Sequence, residues 1–371
     1  MNQMKRLKAL LLAAVMTFGV AACANDAGTT TTAGTTTAGT TTAGTTTAGD
    51  TTAGEDFTGK TLNVVTTSEA YLPLFQKFEQ ETGAKVEFLS MSSGEVIARI
   101  KSEGGSPMAD LWFGGGIDAF MAAKEDGLLE AYNPPEASDV APEYKDAEGF
   151  WGSKGLTVVS FLVDPEILAA KGLEVPRSWA DLADPAYKDE IIMSNPAISG
   201  TNYAVVKGLM DLMGEEEAWA YFEKLNENIP FYGRRGGDPK EKVMAGEFAI
   251  GIIPTSKAEF DAAEENGLEV IWPEDGIPWV PEGVAIFKGG QGVDVAKAFV
   301  SFMLQIENQE MLAEIDGKDG AQMIKPGVAG YDNGLPEDQL IEQDLSTFGS
   351  QREAILERWQ ELTKDKPEPE E

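Results

Sequence analysis

The sequence predicts an α/β protein built on a mostly parallel sheet covered by helices. Short apolar runs of strand character alternate with amphipathic segments at helical spacing along the chain after residue 57, and glycines and small hydroxyl residues punctuate the junctions. With 371 residues, 42% of them hydrophobic and 25% charged, the chain is long enough for two domains and a sizeable core.

The elements follow in order. Leu62–Thr66 is a buried strand, and Tyr71, Leu74, Phe75 and Phe78 then recur at helical spacing until Gly83 stops the helix. "KVEFLS" is a second strand. Ser92 or Ser93 caps the helix that carries Val96, Ile97 and Ile100. "ADLWFGG" is a third strand, broken by Gly115 and Gly116 before the helix "DAFMAAKEDGLL". A middle block repeats the logic with strand "LTVVSFLV", helix "DPEILAAKG", and then a short helix, loop and strand in "RSWADLADPAYKDEIIMS". Helices over 201–213 and 215–227 precede strand "IPFYG", helix "DPKEKVMAG", strand "EFAIGII" and helix "SKAEFDAAEENG". Gly283–Phe287 is a late strand, followed by helix "DVAKAFVSFML". The last helix is expected to open on a capping box of Ser350 with Glu353 and to pack through Ile355, Trp359 and Leu362.

Composition removes several functions. The net charge of −33 argues against a nucleic-acid partner, which would need a basic face. The chain has no histidine, so the commonest general base, the commonest metal ligand and the histidine-dependent nucleophile systems are missing. Its one cysteine, Cys23, excludes an internal disulfide and Cys/His zinc sites. No compact catalytic signature stands out, and no enzyme is expected.

The N-terminus predicts an exported protein. Lys5, Arg6 and Lys8 precede the apolar run "ALLLAAVMTFGVAA", a signal peptide over 1–22. "VAAC" resembles the bacterial lipobox, which implies cleavage before Cys23 and lipidation of its thiol. Thr30–Gly54 reads as five pentads, TTTAG four times and then DTTAG, a solvated tether within 23–56 whose reach is about 25–30 Å. Residues 366–371 form an acidic tail. The expected location is extracytoplasmic, lipid-anchored to the cell membrane.

Five stretches carry a family resemblance: "FEQETGAKVEF", "SSGEVIARIKSEGGSPMADLWFGGG", "RSWADLADPAYKDEIIMSNPAISGTNYA", "LMGEEEAWAYFEKLNENI" and "VAIFKGGQGVDVAKAFVSFMLQIENQEMLA". In that order, across roughly Thr61 to Ala313, they resemble the extracellular solute-binding proteins of bacterial ABC importers, in the branch of ferric-iron, phosphonate and sugar-phosphate binders. The resemblance implies a two-lobed periplasmic-binding-protein fold, type II-like, with mixed sheets flanked by helices and a two-strand hinge. Lobe 1 would comprise 57–158 plus 283–365 and lobe 2 residues 159–282, with Leu156–Val163 and Gly283–Phe287 crossing between them. A small-molecule solute would sit in the cleft, no cofactor or metal is expected, and the partners would be the permease and ATPase subunits of the importer. A monomer is expected.

Ligands of open α/β sheets bind beyond the carboxyl ends of strands, where helix N-termini offer unpaired N–H groups and a partial positive charge. Ser199-Gly200-Thr201 lies at such a place, between a strand and a helix, and the resemblance puts this turn at the cleft. Thr67 and Ser68, Ser92 and Ser93, Gly115, and Thr255 and Ser256 also follow strands. Arg234 and Arg235, beside glycines, suit forked recognition of a phosphate or carboxylate. Trp279 can stack on a ring or pack. Ferric-iron members of the branch use tyrosines, often an adjacent pair; this chain has no Tyr-Tyr pair. Sugar-phosphate members place a His-Asp step after the strand equivalent to "AIGII"; here that region reads Pro254-Thr255-Ser256-Lys257. The preferred solute is a small phosphorylated, phosphonate or carboxylate anion; alternatives are ferric iron, a neutral sugar or polyol, or a surface lipoprotein with a hydrolytic or adhesive role.

Overall fold

The computed structural model describes residues 55–102 and 107–367; the expected signal peptide, Cys23 and the pentad repeat lie outside them. β1 (Thr61–Thr66) passes through one 3-10 turn into α1 (Leu72–Thr82), whose helix ends at Gly83 with a left-handed φ of 72°. β2 (Lys85–Ser90), α2 (Ser93–Ser102), β3 (Leu111–Gly116) and α3 (Ile117–Glu125) continue the alternation. A two-residue β4 (Leu129–Glu130) and a loop lead into β5 (Gly152–Val163). α4 (Pro165–Lys171), α5 (Trp179–Leu182), β6 (Ile191–Ser194), α6 (Gly200–Met213), α7 (Glu215–Asn228), β7 (Tyr232–Gly233), α8 (Asp238–Met244), β8 (Ile250–Thr255), α9 (Lys257–Asn266) and β9 (Glu269–Ile271) follow. The chain then crosses back in β10 (Trp279–Phe287) and closes with α10 (Val293–Met303), α11 (Ile306–Asp316) and α12 (Arg352–Thr363).

Ten strands join in one sheet in the order β2-β1-β3-β10-β5-β8-β6-β7, with β4 on β10 and β9 on β5. Parallel groups stand at either end: β2, β1 and β3 on one side, β8, β6 and β7 on the other. Between them β10 and β5 run antiparallel to each other and to their outer neighbours. This is the two-lobed fold with its two-strand hinge. Both hinge strands start about four residues earlier than their apolar cores suggest. The early part of β10 contains Pro281, which a central strand rarely accepts; it is accommodated beside register shifts that directly follow Glu282 in the pairings with both β3 and β5. Gly283 belongs to the same bulge, and a Cβ there would lie 2.4 Å from the Phe120 ring.

One core lies beneath α1 and α10, where Phe75, Phe78, Phe113, Phe299 and Phe302 meet edge-on or tilted. A larger core runs through β3, β5, α6 and α7 to the last helix. The stripe on α12 packs, but against α7 and β7: Trp359 meets Phe222 at 5.6 Å and Tyr232 at 5.3 Å between ring centroids. The expected capping box does not form. Ser350 Oγ donates instead to Thr347 O, and Gln351 stands at the helix start without a side-chain cap. Lys366, at the start of the expected tail, donates to Ile229 O at 2.5 Å. Among the described residues, no helix is long and apolar enough to cross a membrane.

Candidate functional site

The carboxyl ends of β1, β2 and β3 face those of β6 and β7 across a cavity of about 440 Å³, within the size range of small-molecule sites. From one side Thr67, Ser92, Ser93 and Gly115 line it; from the other come Ser199, Gly200, Thr201 and Arg235. Eight of the residues singled out from sequence therefore share one crevice. A second crevice, under Tyr144 and Trp151, has mostly apolar walls but room of only about 40 Å³, little more than a water or two.

Local chemistry explains how each group is presented. Ser92 caps α2: its N–H and Oγ both donate to Glu95 Oε2 at 2.8 Å. That leaves Ser93, 4% exposed, to turn its Oγ toward Gly115, whose left-handed φ of 101° and missing Cβ make the room. Ser199 caps α6, accepting from Asn202 N at 3.3 Å and Asn202 Nδ2 at 3.0 Å. The backbone N–H groups of Gly200 and Thr201, in the first turn of this 14-residue helix, have no partner among the described residues. Asp238 Oδ2 accepts from the N–H of Arg234 at 2.6 Å and of Arg235 at 3.0 Å, and this shapes the turn that carries Arg235 into the cavity.

The other expected residues lie elsewhere. Ser68 caps its own 3-10 turn by accepting from Ala70 N. Thr255 is buried with its hydroxyl 2.6 Å from Ser160 Oγ. Ser256 forms a capping box with Glu259 on α9. Trp279 packs: its Nε1 donates to Ile341 O at 2.8 Å and its ring meets Tyr144 edge-on. Arg234 does not line the cavity.

Sequence reasoning missed the acidic part of the wall, Asp238, Glu241 and Glu282. Glu282 belongs to a buried cluster with Lys154, Asp316 and Lys318. Lys154 Nζ lies 2.5 Å from Glu282 Oε2 and 2.6 Å from Asp316 Oδ2, and Lys318 bridges the same two carboxylates. Burial alone would push the Glu282 carboxyl up, but the two ammonium groups outweigh it and hold the carboxyl well below the usual range. Burial likewise opposes the charge on Lys154, and Asp316 and Glu282 more than restore it. Among the described residues no group of three or more His, Cys, Asp or Glu could hold a metal ion, and no tyrosine lines the cavity.

The two sides touch beside the cavity. Gly94 N donates to Ile198 O at 3.4 Å, and the backbones of Gly116 and Gly200 meet so closely that a Cβ on Gly200 would lie 2.7 Å from Gly116 N.

The model of the bacterial extracellular solute-binding protein family matches residues 106–341, more than half of the chain. The chain belongs to that family. A Haemophilus influenzae protein is 32% identical over 295 residues, covering 76% of this chain and 84% of the relative. The probable ABC transporter periplasmic-binding protein y4fP of Sinorhizobium fredii is 29% identical over 228 residues, covering 59% and 62%. Among solved structures, the periplasmic binding protein AfuA from Actinobacillus pleuropneumoniae, with exogenous fructose-6-phosphate bound, superimposes with a TM-score of 0.75 at 29% identity, covering 83% of this chain and all of that one. This solute-binding protein thus has the extracytoplasmic role that the family carries, and its family is one of binding proteins, not of enzymes.

Proposed function

We propose that this solute-binding protein captures a small anion, carrying a phosphate, phosphonate or carboxylate, in the cavity between its lobes and delivers it to the permease of an ABC importer. The observation that carries this reading is the convergence on one cavity of Ser93 and Gly115 from one lobe with Thr201 and Arg235 from the other. Unpartnered N–H groups at the start of α6, flanking hydroxyls and a guanidinium suit an anionic head group. Among the described residues no tyrosine lines the cavity, which speaks against ferric iron. The relative named for an ABC transporter and the sugar-phosphate-bound AfuA agree with the reading.

The contacts at Gly94 and Gly116 suit a closed state, with the solute between 57–158 plus 283–365 on one side and 159–282 on the other, the last helix, α12, reaching across to pack on α7 and β7. A lipid on Cys23 and the threonine-rich tether would hold a monomer at the membrane beside its permease. Isothermal titration with inorganic phosphate, fructose 6-phosphate, 2-aminoethylphosphonate, fructose and ferric citrate tests the solute class. A phosphorus-bearing solute should bind and raise the melting temperature, and fructose and ferric citrate should not. Binding of ferric citrate alone would overturn the reading.

A further inference from the structure

We infer that Lys154 and Lys318, neither of which lines the cavity, are positioning residues that fix Glu282 as an ionised hydrogen-bond acceptor in its wall, so that the solute carries a donor group, a hydroxyl or an ammonium, besides its anionic head. This rests on the function proposed above.

Three features aim the carboxylate. The bulge in β10 shifts register directly after Glu282, in the pairing with β3 and in the pairing with β5, which re-aims the side chain out of the regular pleat. Gly283 lets the strand pass against Phe120. Both lysines bind the same oxygen, Oε2. Oε1 therefore keeps its lone pairs, with no partner among the described residues, and the side chain retains 15% exposure where it lines the cavity. The lysines are themselves fixed. Lys154 has no exposed surface, lies 4.7 Å from the Tyr71 ring centroid and is shared with Asp316; Lys318 is 5% exposed and bridges the same pair.

The cluster of two lysines and two carboxylates is neutral, so burial does not leave an uncompensated charge. The titratable and charged groups around Glu282 are Lys154 on β5, Asp316 at the end of α11, Lys318 just after it, Tyr71 before α1, and, lining the same cavity from the other lobe, Arg235, Asp238 and Glu241. The cavity is therefore bipolar. Helix ends, hydroxyls and Arg235 supply donors, and Glu282 supplies an acceptor that does not protonate near neutral pH. A simple oxyanion satisfies only the first set.

The clamp is read without solute by carbon-13 NMR of the carboxyl groups, with the Glu282 resonance assigned through E282Q. It should stay ionised to below about pH 3 in the wild type and titrate at about pH 4 or above in K318M, with K318R restoring the low value. K318Q, which removes the charge and keeps a donor, serves if K318M does not fold. An ordinary wild-type midpoint overturns the clamp. Titration calorimetry then compares fructose 6-phosphate with inorganic phosphate. K318M should weaken the sugar phosphate by about ten-fold or more and leave phosphate within two-fold. The wild-type to K318M affinity ratio should grow as pH falls from about 6 to about 3.5, the range in which Glu282 is protonated in the variant and not in the wild type, and in this ratio the solute's own titration cancels. Equal losses for both solutes, or a ratio flat in pH, overturn the positioning role. A wild type that binds neither probe, nor 2-aminoethylphosphonate nor citrate, overturns the proposed function, while the NMR result still decides the clamp.

Discussion

Gly94→Ala probes lobe closure from the edge of the cavity: Gly94 is not part of the wall, although its neighbour Ser93 and the facing Ile198 are. A Cβ at Gly94 would lie 2.4 Å from Ala197 O and 3.0 Å from Ile198 Cα, both backbone atoms of the facing lobe, whereas ordinary contact begins at 3.4 Å. The two backbones must separate by about 1 Å, and the Gly94 N to Ile198 O hydrogen bond, already 3.4 Å long, is lost. Overpacking of this kind costs about 1–3 kcal/mol. The penalty falls only on the closed arrangement, so fructose 6-phosphate should bind about five-fold to one hundred and fifty-fold more weakly. The solute-free protein should hold its melting temperature or gain slightly, since alanine is a better helix former than glycine by up to about 1 kcal/mol and α2 has no left-handed residue here. Titration calorimetry gives the affinity and scanning calorimetry the stability, and the signature is that the two move apart. Affinity within two-fold of wild type would refute the reasoning, as would a complex in which only the loop of residues 195–198 had moved.

Thr201→Val should weaken a phosphate-bearing solute by about ten-fold in calorimetry, whereas Ser256→Ala should leave affinity unchanged and cost about 1 kcal/mol of stability in urea, because that hydroxyl caps α9. Trp359→Ala should destabilise by about 3–5 kcal/mol in urea unfolding, since the ring is buried between Phe222 and Tyr232. Glu282 has a folded-state pKa below its unfolded value, so its contribution is full above about pH 4.3 and is lost as pH falls through the folded value. The melting-temperature gap between wild type and E282Q should accordingly hold from pH 7 to about pH 5 and narrow below about pH 4. A gap that widens on acidification would contradict the sign.

The strand and helix alternation was legible because buried parallel strands are short apolar runs and the helices between them keep one apolar face. The ends of the hinge strands were not. Pro281 and Glu282 break the apolar pattern, and what keeps them in a strand is pairing with Leu156 and Gly155, more than a hundred residues earlier. The cavity's hydroxyls were half legible for a related reason. Ser93 and Ser256 look alike in sequence, since each follows a strand and opens a helix. Only the packing decides: Ser92 takes the capping role and frees Ser93, while Ser256 caps for itself. Glu282 gave no local signal, because a lone carboxylate in a strand reads as solvated surface, and its partners lie 128 and 36 residues away. The supposed capping box at Ser350 had the right spacing, but a 3-10 turn over Leu345–Thr347 precedes it and draws the hydroxyl back.

The late strand β10 is wedged between β3 and β5, both made much earlier in the chain. Until residue 287 has been synthesised, β3 and β5 face each other with open edges and neither half of the sheet can be sealed. Folding of this chain is therefore governed by a long-range insertion, intrinsically slow and late. A fragment that stops short of Trp279 would carry two raw edges ready to pair with other chains, so truncated products should aggregate sooner than they fold.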